Sequence, residues 1–268
     1  CPMTAGSKPV RILQITDLHV FADPEAQLKG IPTRKTLQDV VQYIVEKQFE
    51  FDFLVITGDH THDELPQSYQ AVRSILAPWH SRLFQVPGNH DDRAVLRDVF
   101  ADRMNADSCE EKINFAFDAG KWLCLGLDTH LPGEVAGQID ESQITWIRKQ
   151  IAGSPEASVV LFMHHPPVVL NSIWMDRIGL NGRELLTDLI RNEPRIRLVC
   201  CGHVHHESTR TVTQSVVVTT PSTGIQFVPE GDTATFERAA PGFRLIELRD
   251  DNFMTRVFRL PEARWTPE

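Results

Sequence analysis

Five short polar clusters could do chemistry, because each brings metal-ligating or acid–base side chains together directly after an apolar run. The clusters read Thr16-Asp17-Leu18-His19, Thr57-Gly58-Asp59, Pro87-Gly88-Asn89-His90-Asp91, His164-His165-Pro166 and Gly202-His203-Val204-His205. Their donors are carboxylate and amide oxygens and imidazole nitrogens, with no thiolate in any cluster. This mixture suits manganese, iron or zinc better than calcium or a soft metal. The sequence therefore indicates a transition-metal site.

The spacing within the clusters favours a pair of ions. Asp17 and His19 are two residues apart, as are His203 and His205, so both members of each pair can turn toward one ion where the chain leaves a sheet. The two carboxylate oxygens of Asp59 could bridge two ions about 3.5–4 Å apart, the separation found in two-metal hydrolytic sites. Glycine precedes three of the clustered residues and permits the tight turns that aim them.

The elements that must position these clusters are predicted to be strands buried on both faces. Nearly continuous apolar runs cover Val10–Ile15, Phe53–Ile56, Leu83–Val86, Val159–Met163 and Ile196–Cys201. Continuous rather than alternating apolarity is typical of sheets that are covered by helices. Ligands of open α/β sheets bind beyond the carboxyl ends of the strands, so we expect the five clusters to converge there.

Helical patterns lie between the apolar runs. An apolar stripe at helical spacing predicts a helix over Thr33–Gln48. Asp140, followed three residues later by Gln143, resembles a capping box and predicts the start of a second helix. The first two-thirds of the chain is therefore predicted to alternate between strand and helix.

The last third of the chain changes to close-set strands. They are predicted at residues 208–213, 216–220, 243–249 and 253–259, as antiparallel pairs that complete a second sheet. Residues 131–137 and 228–240 are predicted to be surface loops. Because no repeat or linker interrupts the pattern, we expect one domain over residues 10–268 after a tail of residues 1–9.

Composition narrows the class of protein. The chain has 268 residues, 24% of them charged, a net charge of −9 and no long apolar run, so we expect a soluble protein without a broadly basic surface for nucleic acid or membranes. The first residues lack the apolar segment of a secretory signal, which predicts a cytoplasmic location. The five cysteines form no C-x-x-C pair, so neither a disulfide framework nor a zinc ribbon is expected. We expect Cys200 and Cys201 to fill the end of a buried strand.

The five clusters together resemble those of a known family. In order they read Asp-x-His, Gly-Asp, Gly-Asn-His-Asp, His and Gly-His-x-His, which resembles the calcineurin-like metallophosphoesterases over roughly residues 10–260. Within that family, residues 11–17, 220–227 and 240–244 are similar to segments of the bacterial class III cyclic nucleotide phosphodiesterases. The resemblance implies an α/β fold of two packed mixed β-sheets flanked by helices on both sides, a four-layer αββα sandwich.

The resemblance also implies which residues bind two metal ions. The first ion would be held by Asp17, His19, Asp59 and His205, and the second by Asp59, Asn89, His164 and His203. The family pattern of His, any residue and Pro assigns His164 rather than His165 as the ligand. Iron, manganese or both are expected as the ions, with zinc as a further option.

The implied activity is hydrolysis of 3′,5′-cyclic AMP to 5′-AMP, by in-line attack of a hydroxide that bridges the two ions. Asp59, Asn89 and His90 would be catalytic, and Asn89, His90 and His165 would contact the substrate. The alternatives are a broader phosphodiesterase acting on 2′,3′-cyclic nucleotides or glycerophosphodiesters, and a non-catalytic metal-binding scaffold. The sequence does not decide among them, because specificity resides in cleft loops.

Partners other than a phosphodiester are restricted by the sequence. Neither nucleic acid nor a membrane is expected. A homodimer is an option, because Trp174, Met175 and Ile178 could form a subunit contact, although they could equally cover the core.

Several polar residues near the clusters keep two interpretations. His60 and His62 either support a ligand or face solvent. Arg93 either reaches a phosphate or only solvates the start of a helix. His80 and His130 are expected to be surface or packing residues, and His165 either orients a ligand or lines the cleft.

Overall fold

The computed structural model describes residues 8–104 and 111–268, so the predicted tail lies outside the described residues up to residue 7. The strands are β1 (Val10–Ile15), β2 (Phe53–Thr57), β3 (Leu83–Val86), β4 (Phe115–Ala119), β5 (Trp122–Leu127), β6 (Gly137–Gln138), β7 (Ser158–Met163), β8 (Leu180–Asn181), β9 (Ile196–Cys201), β10 (Ser208–Val212), β11 (Ser215–Thr219), β12 (Gln226–Val228), β13 (Thr235–Glu237), β14 (Gly242–Leu248) and β15 (Phe253–Arg259). The helices are α1 (Thr33–Glu46), α2 (Pro66–Ile75), α3 (Arg93–Val99), α4 (Glu141–Gly153), α5 (Ile173–Arg177) and α6 (Arg183–Asn192), with 3₁₀ turns at Ala77–Arg82 and Ala101–Arg103.

The strands form two large mixed sheets. The first sheet has the order β15-β14-β1-β2-β3, and the second has the order β10-β11-β9-β7-β5-β4. β1, β2 and β3 are parallel to one another, as are β5, β7, β9 and β11. The five predicted buried strands are therefore confirmed: all of them are parallel strands, four in the interior of a sheet and β3 at the edge of the first.

Three layers of core explain why these strands are apolar on both faces. Ile12, Val55 and Phe162 pack between the two sheets. Leu13 packs on the other side of the first sheet, in the cluster that holds the apolar face of α1. Ile144 of α4 packs on the outer side of the second sheet. The order of layers is helix, sheet, sheet, helix, which confirms the predicted four-layer fold.

The late strands differ from the prediction in one respect. They do form two antiparallel pairs, but β10–β11 joins the second sheet and β14–β15 joins the first. β14 pairs with β1 at Ile12–Ile246, which carries the chain back across to the first sheet. The two pairs therefore extend both sheets rather than completing one, because β9 and β1 each had an unpaired side.

Smaller departures concern the element ends. α1 ends at Glu46, two residues before the predicted end. Asp140 caps α4 by accepting the backbone N–H of Gln143 at 3.0 Å, but the Gln143 side chain does not return to it and instead donates to the Asp128 carbonyl at 2.7 Å. The predicted loop 228–240 contains β13, which pairs with β12 as a short hairpin.

Two further predictions concern burial and membranes. Cys200 and Cys201 are fully buried at the end of β9, as expected. No helix in the described ranges is both long and apolar enough to cross a bilayer.

Candidate metal centre and active site

The chain turns sharply where the interior strands end. Asp17, His19, Asp59, His203 and His205 all have positive φ, between 44° and 72°, a region that side-chain-bearing residues seldom adopt. The turns after β1 and β2 are held together, because the N–H groups at positions 18 and 19 both donate to the carbonyl at position 59, at 2.8 and 3.0 Å. Strained backbone of this kind collects at functional sites, where the surrounding fold enforces it.

Glycine allows the second and third turns to touch. Gly58 has a φ of +96°, and a Cβ at Gly88 would collide with the carboxylate of Asp59. The backbone of the β3 turn can therefore approach the Asp59 side chain closely only because position 88 has no side chain.

A first group of ligand atoms lies at the ends of β1, β2 and β9. It consists of Asp17, His19, Asp59 and His205, which are buried and whose ligand atoms all lie within 4.8 Å of one another. His205 Nε2 lies 3.1 Å from His19 Nε2 and 3.1 Å from Asp17 Oδ1. His19 Nε2 lies 3.4 Å from Asp59 Oδ2.

A second group adjoins the first at the ends of β3 and β7. His164 Nε2 lies 3.2 Å from Asn89 Oδ1 and 3.4 Å from Asp59 Oδ2. The ring of His203 lies 5.0 Å from that of His164, centroid to centroid. Asp59 Oδ1 accepts the backbone N–H of His90 at 2.8 Å, so Oδ2 is the oxygen that faces both groups.

Three of the imidazoles have one nitrogen fixed by a backbone carbonyl. His164 Nδ1 donates to Thr57 O at 2.7 Å, His203 Nε2 to Ile178 O at 2.8 Å and His205 Nδ1 to Ile225 O at 2.8 Å. In the neutral ring the other nitrogen then carries a lone pair. In His164 that nitrogen lies 3.4 Å from Asp59 Oδ2, and in His205 it lies 3.1 Å from Asp17 Oδ1. Metal-binding histidines are oriented by their second nitrogen in this way, so the donor set fits a pair of transition-metal ions.

Burial and the neighbouring charges lower the pKa of some residues in the two ligand groups and raise that of others. Burial alone would raise the pKa of Asp59, but the imidazoles of His164 and His19 outweigh it and hold that pKa well below its usual range. Burial would lower the pKa of His164, but the carboxylates of Asp59 and Asp17 raise it to about 9. Burial together with the nearby His164 lowers the pKa of His203 to about 4. A cation that binds here must therefore displace the proton of His164.

Two histidines stand at the mouth of this centre. The half-buried rings of His62 and His90 stack with their centroids 4.7 Å apart. His62 Nδ1 lies 3.2 Å from His19 Nδ1, so it supports a ligand-group imidazole, one of the two interpretations that the sequence left open. His90 faces the cavities on either side of the centre.

His60 is buried rather than exposed, and it is paired with Asp91. His60 Nδ1 lies 3.0 Å from Asp91 Oδ2, and its Nε2 lies 3.0 Å from Gln85 Oε1. Asp91 also accepts the N–H of Gly88 at 2.8 Å and the hydroxyl of Tyr69 at 3.0 Å. Asp91 therefore joins the turn that carries Asp59 to the turn that carries Asn89, a role that the sequence reasoning did not assign.

The structure disfavours substrate contact by His165, which was predicted to make one, and by Arg93, for which the sequence left that role open. His165 is fully buried, with Nδ1 2.8 Å from the Thr129 hydroxyl and Nε2 3.0 Å from the Val135 carbonyl, so neither ring nitrogen is left for a substrate. Arg93 forms a bidentate pair with buried Asp128 at 2.7 and 2.9 Å, and therefore does not reach for a phosphate. Both side chains hold the loops around the centre.

The residues expected to be structural behave as packing or surface groups. His80 pairs with Asp102 at 2.7 Å near the surface. His130 is 9% exposed and packs beside the Arg93 pair. Trp174 and Met175 are buried in a small apolar cluster, which favours the interpretation that they cover the core.

Two cavities open on either side of His90. The larger, about 540 Å³, is lined by the loop after β5 and, among the described residues, by two arginines and five acidic residues: Arg93, Arg97, Glu64, Asp91, Asp92, Glu111 and Glu134. The smaller, about 230 Å³, has the ligand groups as its floor and apolar side chains as its walls. Asn89, His90 and Val135 line both.

The sequence is similar to those of known phosphoesterases. Residues 10–207 match the family model described as calcineurin-like phosphoesterase. The chain is 32% identical over 265 residues to the 3′,5′-cyclic adenosine monophosphate phosphodiesterase CpdA of Escherichia coli strain K12, covering 98% of this chain and 94% of that protein. It is 28% identical to a probable glycerophosphodiester phosphodiesterase GpdQ of Arcobacter nitrofigilis, covering 79% of this chain and 77% of that protein.

A solved structure supports the same fold. The crystal structure of a dimetal phosphatase from Danio rerio superposes with a TM-score of 0.63 at 16% sequence identity, covering 92% of this chain and 98% of that one. The family-model match spans most of the chain, and the layers and strand-end clusters described above agree with it. The chain belongs to the calcineurin-like phosphoesterase family.

Proposed function

We propose that this protein is a metal-dependent phosphodiesterase that hydrolyses 3′,5′-cyclic AMP to 5′-AMP. The observation that carries the proposal is the shared position of Asp59 Oδ2, which lies 3.4 Å from one imidazole nitrogen of each ligand group. The similarity to a cyclic AMP phosphodiesterase over nearly the whole chain supports the choice of substrate.

Seven side chains would hold the two ions. Asp17, His19, Asp59 and His205 would bind one, and Asp59, Asn89, His164 and His203 the other. When bound, the ions neutralise the phosphoryl oxygens and supply hydroxide at neutral pH. Iron or manganese remains our prediction for their identity.

Two side chains at the mouth would act on the substrate itself. Hydrolysis breaks the bond from phosphorus to the 3′ oxygen, which must gain a proton as it leaves. The ring of His90 lines both cavities, while its backbone is fixed by the bond to Asp59, so it is placed to donate that proton. Asn89 directs its Oδ1 toward His164, which leaves its amide N–H₂ to donate to a phosphoryl oxygen.

A broader phosphodiesterase is the second candidate. The larger cavity is open and polar and could accept small diesters without a base, and GpdQ of Arcobacter nitrofigilis is a relative with a glycerophosphodiester substrate in its name. A non-catalytic scaffold is less well supported, because all seven ligand positions are filled. The net charge of −9 also disfavours a polyanion such as nucleic acid.

The test combines metal analysis with turnover. Purified enzyme should contain two transition-metal ions per chain and should hydrolyse 3′,5′-cyclic AMP with a higher kcat/KM than 2′,3′-cyclic AMP or glycerophosphoethanolamine. His90→Ala should keep both ions and lose turnover, as expected for a residue that transfers a proton without binding metal. Equal kcat/KM for the three diesters would favour the broader enzyme, and bound metal without any diester turnover would favour the scaffold.

A further inference from the structure

The smaller cavity has an aromatic wall that the proposed chemistry does not use. Trp174, Ile178, Phe227 and Phe236 line it, and the rings of Trp174 and Phe227 meet edge to face with centroids 5.3 Å apart. Phe227 and Phe236 belong to the β12–β13 hairpin. We propose that this aromatic pocket, defined by these four residues, binds the purine base of the cyclic nucleotide. The inference rests on the proposed function, since it assigns the base of that substrate to a place beside the metal centre.

Phe236 is the ring left available to stack on a base. One face of Phe227 already lies on His205, with centroids 3.9 Å apart and planes 5° apart. Trp174 is 6% exposed, and its indole N–H donates to the Val228 carbonyl at 3.1 Å. Phe236 is only half-buried, and its contact with Phe227 is tilted at 50° with centroids 5.5 Å apart, so one of its faces borders the cavity.

The chemistry of the two cavities assigns the base to the smaller one. A purine is planar and uncharged, and its face is stabilised by stacking on aromatic rings. Among the described residues, the larger cavity is lined by five acidic residues and two arginines, without phenylalanine, tyrosine or tryptophan. In the same part of the chain, the acidic residue that lines the smaller cavity is Asp59, which belongs to the metal centre, so its walls suit an apolar ring.

Size and charge agree with this assignment. About 230 Å³ is below the roughly 300–1,000 Å³ typical of pockets for drug-sized ligands, so the cavity takes one ring system rather than an extended chain. Lys29 is the only lysine or arginine among the residues that line it. An anion that enters along this wall therefore meets a positive charge before it reaches the imidazoles.

The experiment compares two phosphomonoesters that differ only by the base. 5′-AMP and ribose 5-phosphate are titrated into the metal-loaded enzyme by calorimetry, with Phe236→Ala and Phe236→Leu as test variants. Wild type should bind 5′-AMP at least tenfold more tightly than ribose 5-phosphate. In Phe236→Ala the ratio of the two affinities should fall by a factor of roughly five to ten, the low end of what the loss of one base–aromatic stack costs. Phe236→Leu should give an intermediate loss, because it keeps apolar contact but not the ring.

Ile173→Ala is the matched control. Ile173 is 56% exposed on α5 next to Trp174 but does not line the pocket, so its loss should leave the preference unchanged. Equal binding of the two ligands by wild type, or an unchanged preference in Phe236→Ala, would overturn the aromatic pocket. Failure of wild type to hydrolyse cyclic AMP would instead overturn the proposed function, and the binding comparison would still decide the pocket.

Discussion

Replacing Asp91 by asparagine tests how the metal centre is held in shape. The carboxylate is 1% exposed and accepts hydrogen bonds from Gly88, His60 and Tyr69. His60 N–H and Gly88 N–H come from the turns that position Asp59 and Asn89. Asp91→Asn keeps the shape of the side chain but removes its charge and one of its two acceptor oxygens.

The expected cost follows from which oxygen is replaced. Oδ2 accepts the Gly88 N–H and the His60 ring N–H, and it shares the His60 backbone N–H with Oδ1. Oδ1 also accepts the Tyr69 hydroxyl, which can turn and accept instead. The new amide nitrogen should therefore take the place of Oδ1. The bonds from Gly88 and from the backbone and ring of His60 then pass from a charged to a neutral acceptor. At about 1 kcal/mol for each of those three bonds, the variant should lose about 3 kcal/mol of unfolding free energy.

Urea unfolding at a fixed metal concentration measures this loss. The matched control is Asp92→Asn, because Asp92 caps α3 by accepting the Val95 N–H at 2.9 Å and asparagine caps equally well. The control should therefore stay within about 0.5 kcal/mol of wild type. Equal stability of the two variants would refute the reasoning.

The pH dependence of the loss gives a second check. Burial would raise the pKa of Asp91, but His60 outweighs it and holds the pKa below its usual range. A carboxyl group whose pKa is lower in the folded than in the unfolded protein stabilises the fold when the pH is above its unfolded-state pKa. This stabilisation is lost as the pH falls through its folded-state pKa. The difference between wild type and Asp91→Asn should therefore narrow below about pH 4. A difference that stays constant there would mean that charge is not its source.

Three further perturbations address the centre and its rim. Asp59→Ala should lose both ions and lower kcat/KM at least about a thousandfold, and two ions per chain by elemental analysis would contradict the shared position of Asp59. Because the pKa of His164 is raised to about 9, the metal-free chain should lose stability as pH rises from about 6.5 to 9. Metal binding at pH 7.5 should release at least about one proton, from His164, measured by calorimetry in buffers of different ionisation enthalpy. A heat of binding that is independent of the buffer would contradict this. Lys29→Gln should lower kcat/KM for cyclic AMP about two- to fivefold at low salt and less at 0.5 M salt, while kcat stays unchanged. A loss of kcat/KM that does not depend on salt would exclude electrostatic steering by this charge.

Much of the fold could be predicted from the sequence because of how its strands are buried. Ile12 and Leu13 are neighbours in β1, yet they pack on opposite sides of the first sheet. Such strands are apolar at nearly every position, with hydrogen-bonded exceptions such as Gln14, and the polar clusters begin where the strands end. The apolar runs and the clusters that follow them therefore predicted both the strands and the edge at which the ligand groups meet.

The residues that support the ligands could not be predicted in the same way. Asp91 and His60 are 31 residues apart, and their contact depends on how two turns approach each other rather than on any local pattern. His62 likewise meets His19 across 43 residues. Arg93 at the start of a helix has the same sequence signal whether it faces solvent or pairs with buried Asp128. Long-range side-chain geometry decided each case.

The way the sheets are joined explains why the centre depends on the whole fold. Four ligand positions follow strands of the first sheet, and the three histidines His164, His203 and His205 follow strands of the second. At the ends of these strands, the buried amide of Gln14 donates to the Thr57 hydroxyl on the neighbouring strand β2 at 2.8 Å and, across the space between the sheets, to the Cys201 carbonyl at 3.3 Å.

The two residues that Gln14 contacts lie next to the histidines of the ligand groups. The Thr57 carbonyl fixes the ring of His164, and Cys201 is the last residue of β9 before the turn that carries two further histidines. A buried polar contact of this kind is costly unless it is satisfied, so it holds the two sheets in one relative position. Because ions that bind across both sheets favour the same position, metal binding and sheet packing should stabilise each other.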